Sequence, residues 1–295
     1  YLGHPSQRAP KILFSPSRKL TIPTRAGILK SYGIGAWEKG VEILRCIQLQ
    51  GLRFGEGLPK LCVPLTGNGM PALLSELQQV ADLPADLFEW RLDCFFGNPL
   101  PVLPQVLENL GDKPLLCTLR TQGEGGQARL SPEEYERRLV DLLQTGGFGF
   151  VDIELSCGEE RAARLAELAK SRGTSVVLSK HDFHQTPPKE EIAATLRRMK
   201  ALGADLPKYA VMPRTPGDVL ALLAATWEAS SEIGPVITMS MGELGKITRA
   251  GGGVFGSCLT FGAGLNASAP GQIDAENLRA ILEDLQPYDS GARGC

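Results

Sequence analysis

Phe88-Glu89-Trp90-Arg91-Leu92-Asp93 puts an apolar side chain at every second position and a charge between. That alternation is the signature of a strand with Phe88, Trp90 and Leu92 on one face and Glu89, Arg91 and Asp93 on the other. Val151-Asp152-Ile153-Glu154-Leu155 repeats it farther along. What flanks these strands decides where the charges point. Short apolar runs recur at 61–65, 87–92, 115–119, 150–155, 175–179, 209–212, 236–241 and 258–262, spaced by about 28 residues. Amphipathic stretches lie between them. Ser131-Pro132-Glu133-Glu134 reads as an N-cap, a first-position proline and a capping-box Glu, opening a helix that stops at Gly146. Helices over 160–172 and 190–202 close at Gly173 and Gly203, and others start at Thr215-Pro216-Gly217-Asp218 and at Asp274. Eight strands alternating with helices predict an α/β fold, the (β/α)8 TIM barrel, with an open doubly wound sheet as the alternative. Helices cover the outside of such a barrel, so the charged faces enter the lumen, where they must pair with each other or hold a polar ligand. The exposed face of an antiparallel sheet would carry the same pattern.

The 295 residues are 43% hydrophobic with a formal net charge of −2, and no basic surplus marks nucleic acid as a partner. No run of 18 apolar residues is present to span a membrane. Seven scattered cysteines without a Cys-x-x-Cys pair read as reduced thiols in a cytoplasmic setting, not as a zinc site or a disulfide framework. Charge is uneven, however. The first 37 residues hold six basic side chains, no acid, and Pro5, Pro10, Pro16 and Pro23. Residues 1–45 therefore read as a basic, poorly ordered N-terminal extension, a targeting segment being the other reading, and 46–295 as a single barrel domain. Residues 46–60, with Gly51, Gly55 and Gly57, read as an N-terminal β-hairpin able to plug the bottom of the barrel.

Candidate chemistry gathers at strand ends. The third strand runs into Arg120-Thr121-Gln122-Gly123-Glu124-Gly125-Gly126, which sets Arg120 and Glu124 on a flexible loop at the functional end of a barrel, though taken alone it is an ordinary polar loop. The fifth runs into Lys180-His181-Asp182-Phe183-His184 and holds two of the chain's three histidines. Imidazole acid/base chemistry would fall to His181 or His184, because His4 lies in the tail. His181, Asp182 and His184 could also ligate a metal, but no further ligand stands at a recognisable spacing. In the sixth strand, Lys208 shares a face with Ala210 and Met212, opposite Tyr209 and Val211. A lysine at a strand start ordinarily reaches for water; inside a lumen its amine could form an imine with a ketone. Gly251, Gly253 and Gly256 satisfy G-x-G-x-x-G without the strand–helix context or the distal acid of a dinucleotide site, which leaves a packing turn.

Together the segments 89–93, 120–126, 179–184, 207–213 and 238–241, Arg249, and the segments 260–263 and 267–272 resemble type I 3-dehydroquinate dehydratase over residues 47–286. The resemblance implies dehydration of 3-dehydroquinate to 3-dehydroshikimate in the shikimate pathway of aromatic amino-acid biosynthesis. It implies a Schiff base on Lys208, His181 as general acid/base, and Glu124 orienting that histidine. It assigns the substrate carboxylate to Arg249, ring hydroxyls to Glu89, Arg91 and Arg120, the closing last loop to Ser268 and Gln272, and apolar walls to Met241 and Phe261. It also implies no cofactor and no metal, a small-molecule substrate, a homodimer in the cytoplasm, and no catalytic task for His184. Pro64 departs from the pattern, standing where some members carry a serine. The rival readings are a different class I aldolase with a phosphate at the Gly251–Gly256 turn, a carboxylate-binding barrel without catalysis, and a metal-dependent enzyme.

Overall fold

A computed structural model describes residues 46–285; the extension read at 1–45 lies outside the described residues, as do 286–295. A hairpin comes first, β1 (Ile47–Leu49) against β2 (Leu52–Phe54), with Ile47 opposite Phe54. Gln50 (φ 50°) and Gly51 (φ 79°) are both left-handed, the two-residue turn whose twist matches an antiparallel pair.

Eight parallel strands follow: β3 (Lys60–Leu65), β4 (Leu87–Arg91), β5 (Leu115–Thr118), β6 (Phe150–Glu154), β7 (Ser175–Asp182), β8 (Leu206–Val211), β9 (Ile237–Ser240) and β10 (Leu259–Ala263). Every expected strand is present within three residues of its expected bounds. The helices between and after them are α1 (Met70–Val80), α2 (Leu103–Leu110), α3 (Pro132–Thr145), α4 (Glu159–Ser171), α5 (Lys189–Ala201), α6 (Pro216–Ile233), α7 (Gly242–Gly251) and α8 (Ala275–Asp284). Their ends follow local chemistry. Ser131 and Glu134 exchange hydrogen bonds of 3.2 and 3.0 Å as a capping box, Thr215 and Asp218 form another, and Asp274 caps α8. Gly173 (φ 74°) and Gly203 (φ 103°) follow α4 and α5 in the conformation that glycine adopts without strain.

The doubly wound alternative fails because the sheet returns on itself: β10 pairs with β3, Thr260 opposite Leu61. Ladders run unbroken from β10 through β3 to β9. The last seam, between β9 and β10, is closed by a single parallel bridge, Val236–Ser257. There Cys258 N donates to Val236 O (2.8 Å) and Thr238 N donates to Ser257 Oγ (3.1 Å). A two-residue strand, β11 (Ile273–Asp274), adds to β10 and was not foreseen.

Alternation then sorts the side chains. Trp90, Ile153 and Tyr209 join the core under the helices, whereas Leu87, Phe150 and Leu206 join a second core inside the barrel. Phe54 from the hairpin enters that inner core, fully buried and edge-on to Phe150 at 5.8 Å. Gln50 Nε2 donates to Gly173 O (2.9 Å) and Ser175 Oγ (3.2 Å), at the start of β7. The hairpin therefore plugs the barrel at the N-terminal ends of its strands. Cys62, Cys94, Cys117, Cys157 and Cys258 are free and buried, as expected of reduced thiols; Cys46 departs from that reading and is disulfide-bonded. Among the described residues no helix is long and apolar enough to cross a membrane.

Candidate active site

Above the apolar plug four of the strands change character within two residues. Leu87 gives way to Glu89 and Arg91, Phe150 to Asp152 and Glu154, Val177 to Ser179 and His181, and Leu206 to Lys208. Period-2 geometry keeps all of them on the lumenal face. Glu89, Arg91, Arg120, Glu124, His181 and Lys208 line one cavity at the C-terminal ends of the strands. Met241, Arg249, Phe261, Ser268 and Gln272 complete its wall, so every residue singled out for the site is brought together. Sequence reasoning assigned no role to Met239 or Phe183, which also line it, nor to Asp152 and Glu154. The alternation flagged the two acids, but nothing local says which cation they meet.

The charges pair tightly. Arg91 Nε and Nη2 donate to the two oxygens of Asp93 (2.8 and 2.7 Å), a bidentate fork. Thr118 Oγ1 donates to Glu89 Oε1 at 2.8 Å. Arg120 Nη2 donates to Asp152 Oδ2 (2.8 Å), and Nη1 donates to Glu154 Oε1 and Ser179 Oγ (3.0 Å each). Lys208 does not reach for water: it is 3% exposed, and Nζ donates to Asp152 Oδ2 at 3.1 Å. Its ammonium also stands 4.5 Å from the Phe261 ring centroid, so Phe261 presents its π face to the cation.

The loop after β5 is not the flexible polar loop that its composition predicts. Arg120 is 4% and Glu124 5% exposed. Gln122 N donates to Ala128 O (2.8 Å), and Thr121 N and Oγ1 both donate to the Glu154 carboxylate (2.8 and 2.6 Å). Gly126 packs so closely that a Cβ there would lie 2.1 Å from Arg120 O.

That folded loop delivers Glu124 to His181. Oε2 of Glu124 accepts the His181 backbone N–H (3.0 Å) and stands 2.8 Å from Nδ1. A carboxylate serving both contacts assigns the ring proton to Nδ1 and leaves the lone pair on Nε2. Burial pushes the Glu124 carboxyl up to about 7 against the pull of Arg120. Burial together with the Arg120 and Lys208 cations holds His181 well below the ordinary imidazole range. Both shifts disfavour an imidazolium and leave a neutral ring. His184 is exposed, and Asp182 Oδ1 is occupied by the backbone N–H groups of His184 and Gln185 (2.8 and 3.0 Å). The metal set suggested by His181, Asp182 and His184 is thus not assembled.

Arg249 differs from the other cations. It is 1% exposed, donates from Nη2 to Pro270 O (3.0 Å) and from Nη1 to Met239 Sδ (3.5 Å), and leaves Nε without a partner. Burial brings its pKa down to about 10, and it makes no salt bridge among the described residues. A desolvated guanidinium without a carboxylate is a place for an anionic ligand. Beside it, Gln272 Oε1 accepts Ser268 N at 2.6 Å, tying the last loop together. The Gly251–Gly256 turn is a packing turn at the far end, where a Cβ on Gly253 would lie 2.3 Å from Pro59.

Fold and site define a (β/α)8-barrel enzyme with a buried lumenal lysine, an oriented histidine and an unpaired guanidinium at its mouth. The family model for type I 3-dehydroquinase matches residues 61–289. A 3-dehydroquinate dehydratase of Listeria monocytogenes is 44% identical over 245 residues, covering 81% of this chain and 97% of the relative. Among solved structures, the 3-dehydroquinate dehydratase of Geobacillus kaustophilus superposes with a TM-score of 0.78 at 38% identity, covering 83% of this chain and 98% of that one. The type I enzyme of Clostridium difficile gives a TM-score of 0.77 at 40% identity, with coverage of 82% and 97%. The chain belongs to the type I 3-dehydroquinase family and is a hydro-lyase.

Proposed function

We propose that the chain dehydrates 3-dehydroquinate to 3-dehydroshikimate through an imine on Lys208. The observation that carries this reading is a buried lysine amine in a cavity whose one unpaired cation, among the described residues, is Arg249. Arg249 takes the substrate carboxylate and fixes the ring. Glu89, Arg91 and Arg120 take its hydroxyls, Ser268 and Gln272 close over it, and Met241 and Phe261 wall its apolar edge. The Lys208 amine, as free base, attacks the ketone carbon while the carbonyl electron pair moves to oxygen; loss of water leaves a protonated imine. That imine withdraws electrons, so His181 Nε2 can remove the adjacent C–H proton; the C–H electron pair becomes a C=C bond and the C=N pair moves onto nitrogen, giving a neutral enamine. The same imidazole then returns the proton to the departing β-hydroxyl as the electrons flow back. Hydrolysis frees the amine and the unsaturated ketone. Glu124 holds the ring in the tautomer this sequence needs.

The sugar-phosphate aldolase reading loses its support, because the Gly251–Gly256 turn packs on Pro59 just before β3, at the plugged end of the barrel. In the same proposal residues 46–295 are the catalytic domain, 1–45 are a basic extension to it, and the enzyme works in the cytoplasm, a reading that the five free buried thiols support and the disulfide at Cys46 does not. In that proposal the enzyme is also a homodimer, to which Leu220 and Trp227, seven residues apart on α6 and 67% and 56% exposed, offer apolar surface. The test of the chemistry is borohydride reduction in the presence of 3-dehydroquinate, read by intact mass and peptide mapping. A reduced adduct on Lys208 is expected; folded, active enzyme that yields none would overturn the imine.

A further inference from the structure

Asp152 is a buried acid in the lumen that the mechanism above does not employ. It is 1% exposed and bridges two cations: Oδ2 accepts from Lys208 Nζ at 3.1 Å and from Arg120 Nη2 at 2.8 Å. Oδ1 accepts from Ser179 Oγ at 2.5 Å, and that hydroxyl accepts from Arg120 Nη1 at 3.0 Å. Among the described residues, Asp152 is the one acid within salt-bridge distance of Lys208. The other close neighbour of Nζ is the face of Phe261, which cannot fix a direction as a carboxylate does.

Resting on the imine reading, we propose that Asp152 is the positioning residue of Lys208, aiming Nζ during attack and remaining as the counter-anion of the nitrogen once it is part of the imine. The charge on that nitrogen changes along the path. It is positive as ammonium, zero as the attacking amine, positive again as the protonated imine, and zero in the enamine. In forming the imine, the nitrogen lone pair makes the new bond to carbon. The carbonyl oxygen departs as water, carrying one proton from nitrogen and one from the acid, so the positive charge stays on C=N. Arg120 and Arg249 also occupy this water-poor lumen, and without a fixed anion the iminium would face two guanidiniums. Arg120 has a second part. Burial would raise the Asp152 carboxyl, but the Arg120 and Lys208 cations outweigh it and hold the group well below the usual carboxylate range. With Arg120 bound to the same oxygen, Asp152 stays ionised even while Lys208 is neutral. It therefore acts as an anchor and an anion, and moves no proton.

Two variants test this. Asp152→Asn removes the charge at constant shape, and Asp152→Glu keeps the charge but displaces it by one methylene. Each is compared with wild type by steady-state kinetics with 3-dehydroquinate, by the rate of borohydride-trapped adduct on Lys208, and by thermal melting. Asp152→Asn should lower kcat and the trapping rate on the order of 100-fold, and Asp152→Glu about tenfold, with KM within about threefold of wild type. If Asp152→Asn does not fold, Asp152→Glu carries the test, since it keeps the buried pair charged. Trapping and kcat at wild-type rates in the folded variants would overturn the proposal while leaving the imine intact. A rise in KM in proportion to the fall in kcat, with loss of melting temperature, would also overturn it, because that marks packing. Absence of an adduct in wild type would instead strike the imine reading itself, and this proposal with it.

Discussion

Below Lys208 the barrel strands turn Leu87, Leu116, Phe150, Val177, Leu206 and Ile237 inward onto Phe54 of the hairpin. Two residues farther along, the same strands turn Glu89, Thr118, Asp152, Ser179, Lys208 and Met239 inward. The lower layer is apolar and closed, and its burial stabilises the fold at about 25 cal/mol for each Å² of apolar surface removed from water. The upper layer is also buried but lines the cavity, and it is densely charged. Desolvation there offsets most of the attraction between partners, so such pairs contribute little net stability and are costly when one member is removed. Packing and chemistry thus occupy successive layers of one lumen.

The separation can be broken from above. His181→Ala should lower kcat by about 10²–10⁴-fold, the usual contribution of a positioned acid/base, while borohydride still traps substrate on Lys208 and the melting temperature stays near wild type. Single-turnover quench with mass detection distinguishes a stalled imine from a slow one. Turnover near the wild-type rate would remove His181 from the reaction.

From below, the larger effect is on stability. Phe54 is fully buried against Phe150, so Phe54→Ala should cost about 3–5 kcal/mol in urea unfolding. The kcat of the molecules that remain folded should be unchanged, since no hairpin residue lines the cavity. A proportional loss of kcat in fully folded protein would show that the plug sets the geometry of the upper layer and that the two layers are one unit.

Much of this was legible in the residues because a strand's period is local. Glu89, Arg91 and Lys208 reveal their face by the apolar residues on either side, and caps such as Ser131 and Asp274 reveal helix starts within four positions. The loop that carries Arg120 and Glu124 was read as flexible, because Gly123, Gly125 and Gly126 look like freedom in sequence. In the fold Gly125 and Gly126 are what allows the loop to pack against Phe183 and Arg120. The partners of Asp152 and Glu154 were not legible at all. Asp152 lies 32 residues from Arg120 and 56 from Lys208, and only the stagger of β5, β6 and β8 brings the three together. The single-bridge seam at Val236–Ser257 has no local signature either.

The smallest effect concerns the pair that joins loop to strand. Glu124, raised by burial to about 7, takes up the first proton that the Glu124–His181 pair accepts as pH falls, because His181 is held well below the imidazole range. Protonation removes the acceptor for Nδ1–H, and with it the preference for the tautomer that leaves Nε2 free. Activity should therefore fall on the acid side of neutrality with an apparent pKa of about 7. Glu124→Gln cannot take up that proton. Its plateau should drop about 10–100-fold, since a neutral amide orients the ring less firmly and stabilises the developing imidazolium less. Its acid limb should move down toward the depressed value of His181, so that the variant is less pH-sensitive between 6 and 7 than wild type. Rate against pH at saturating substrate, for both proteins in one buffer series, reads the two effects separately. A limb that stays at 7 in Glu124→Gln would assign that titration to another group and would detach the loop carboxylate from the chemistry of the upper layer.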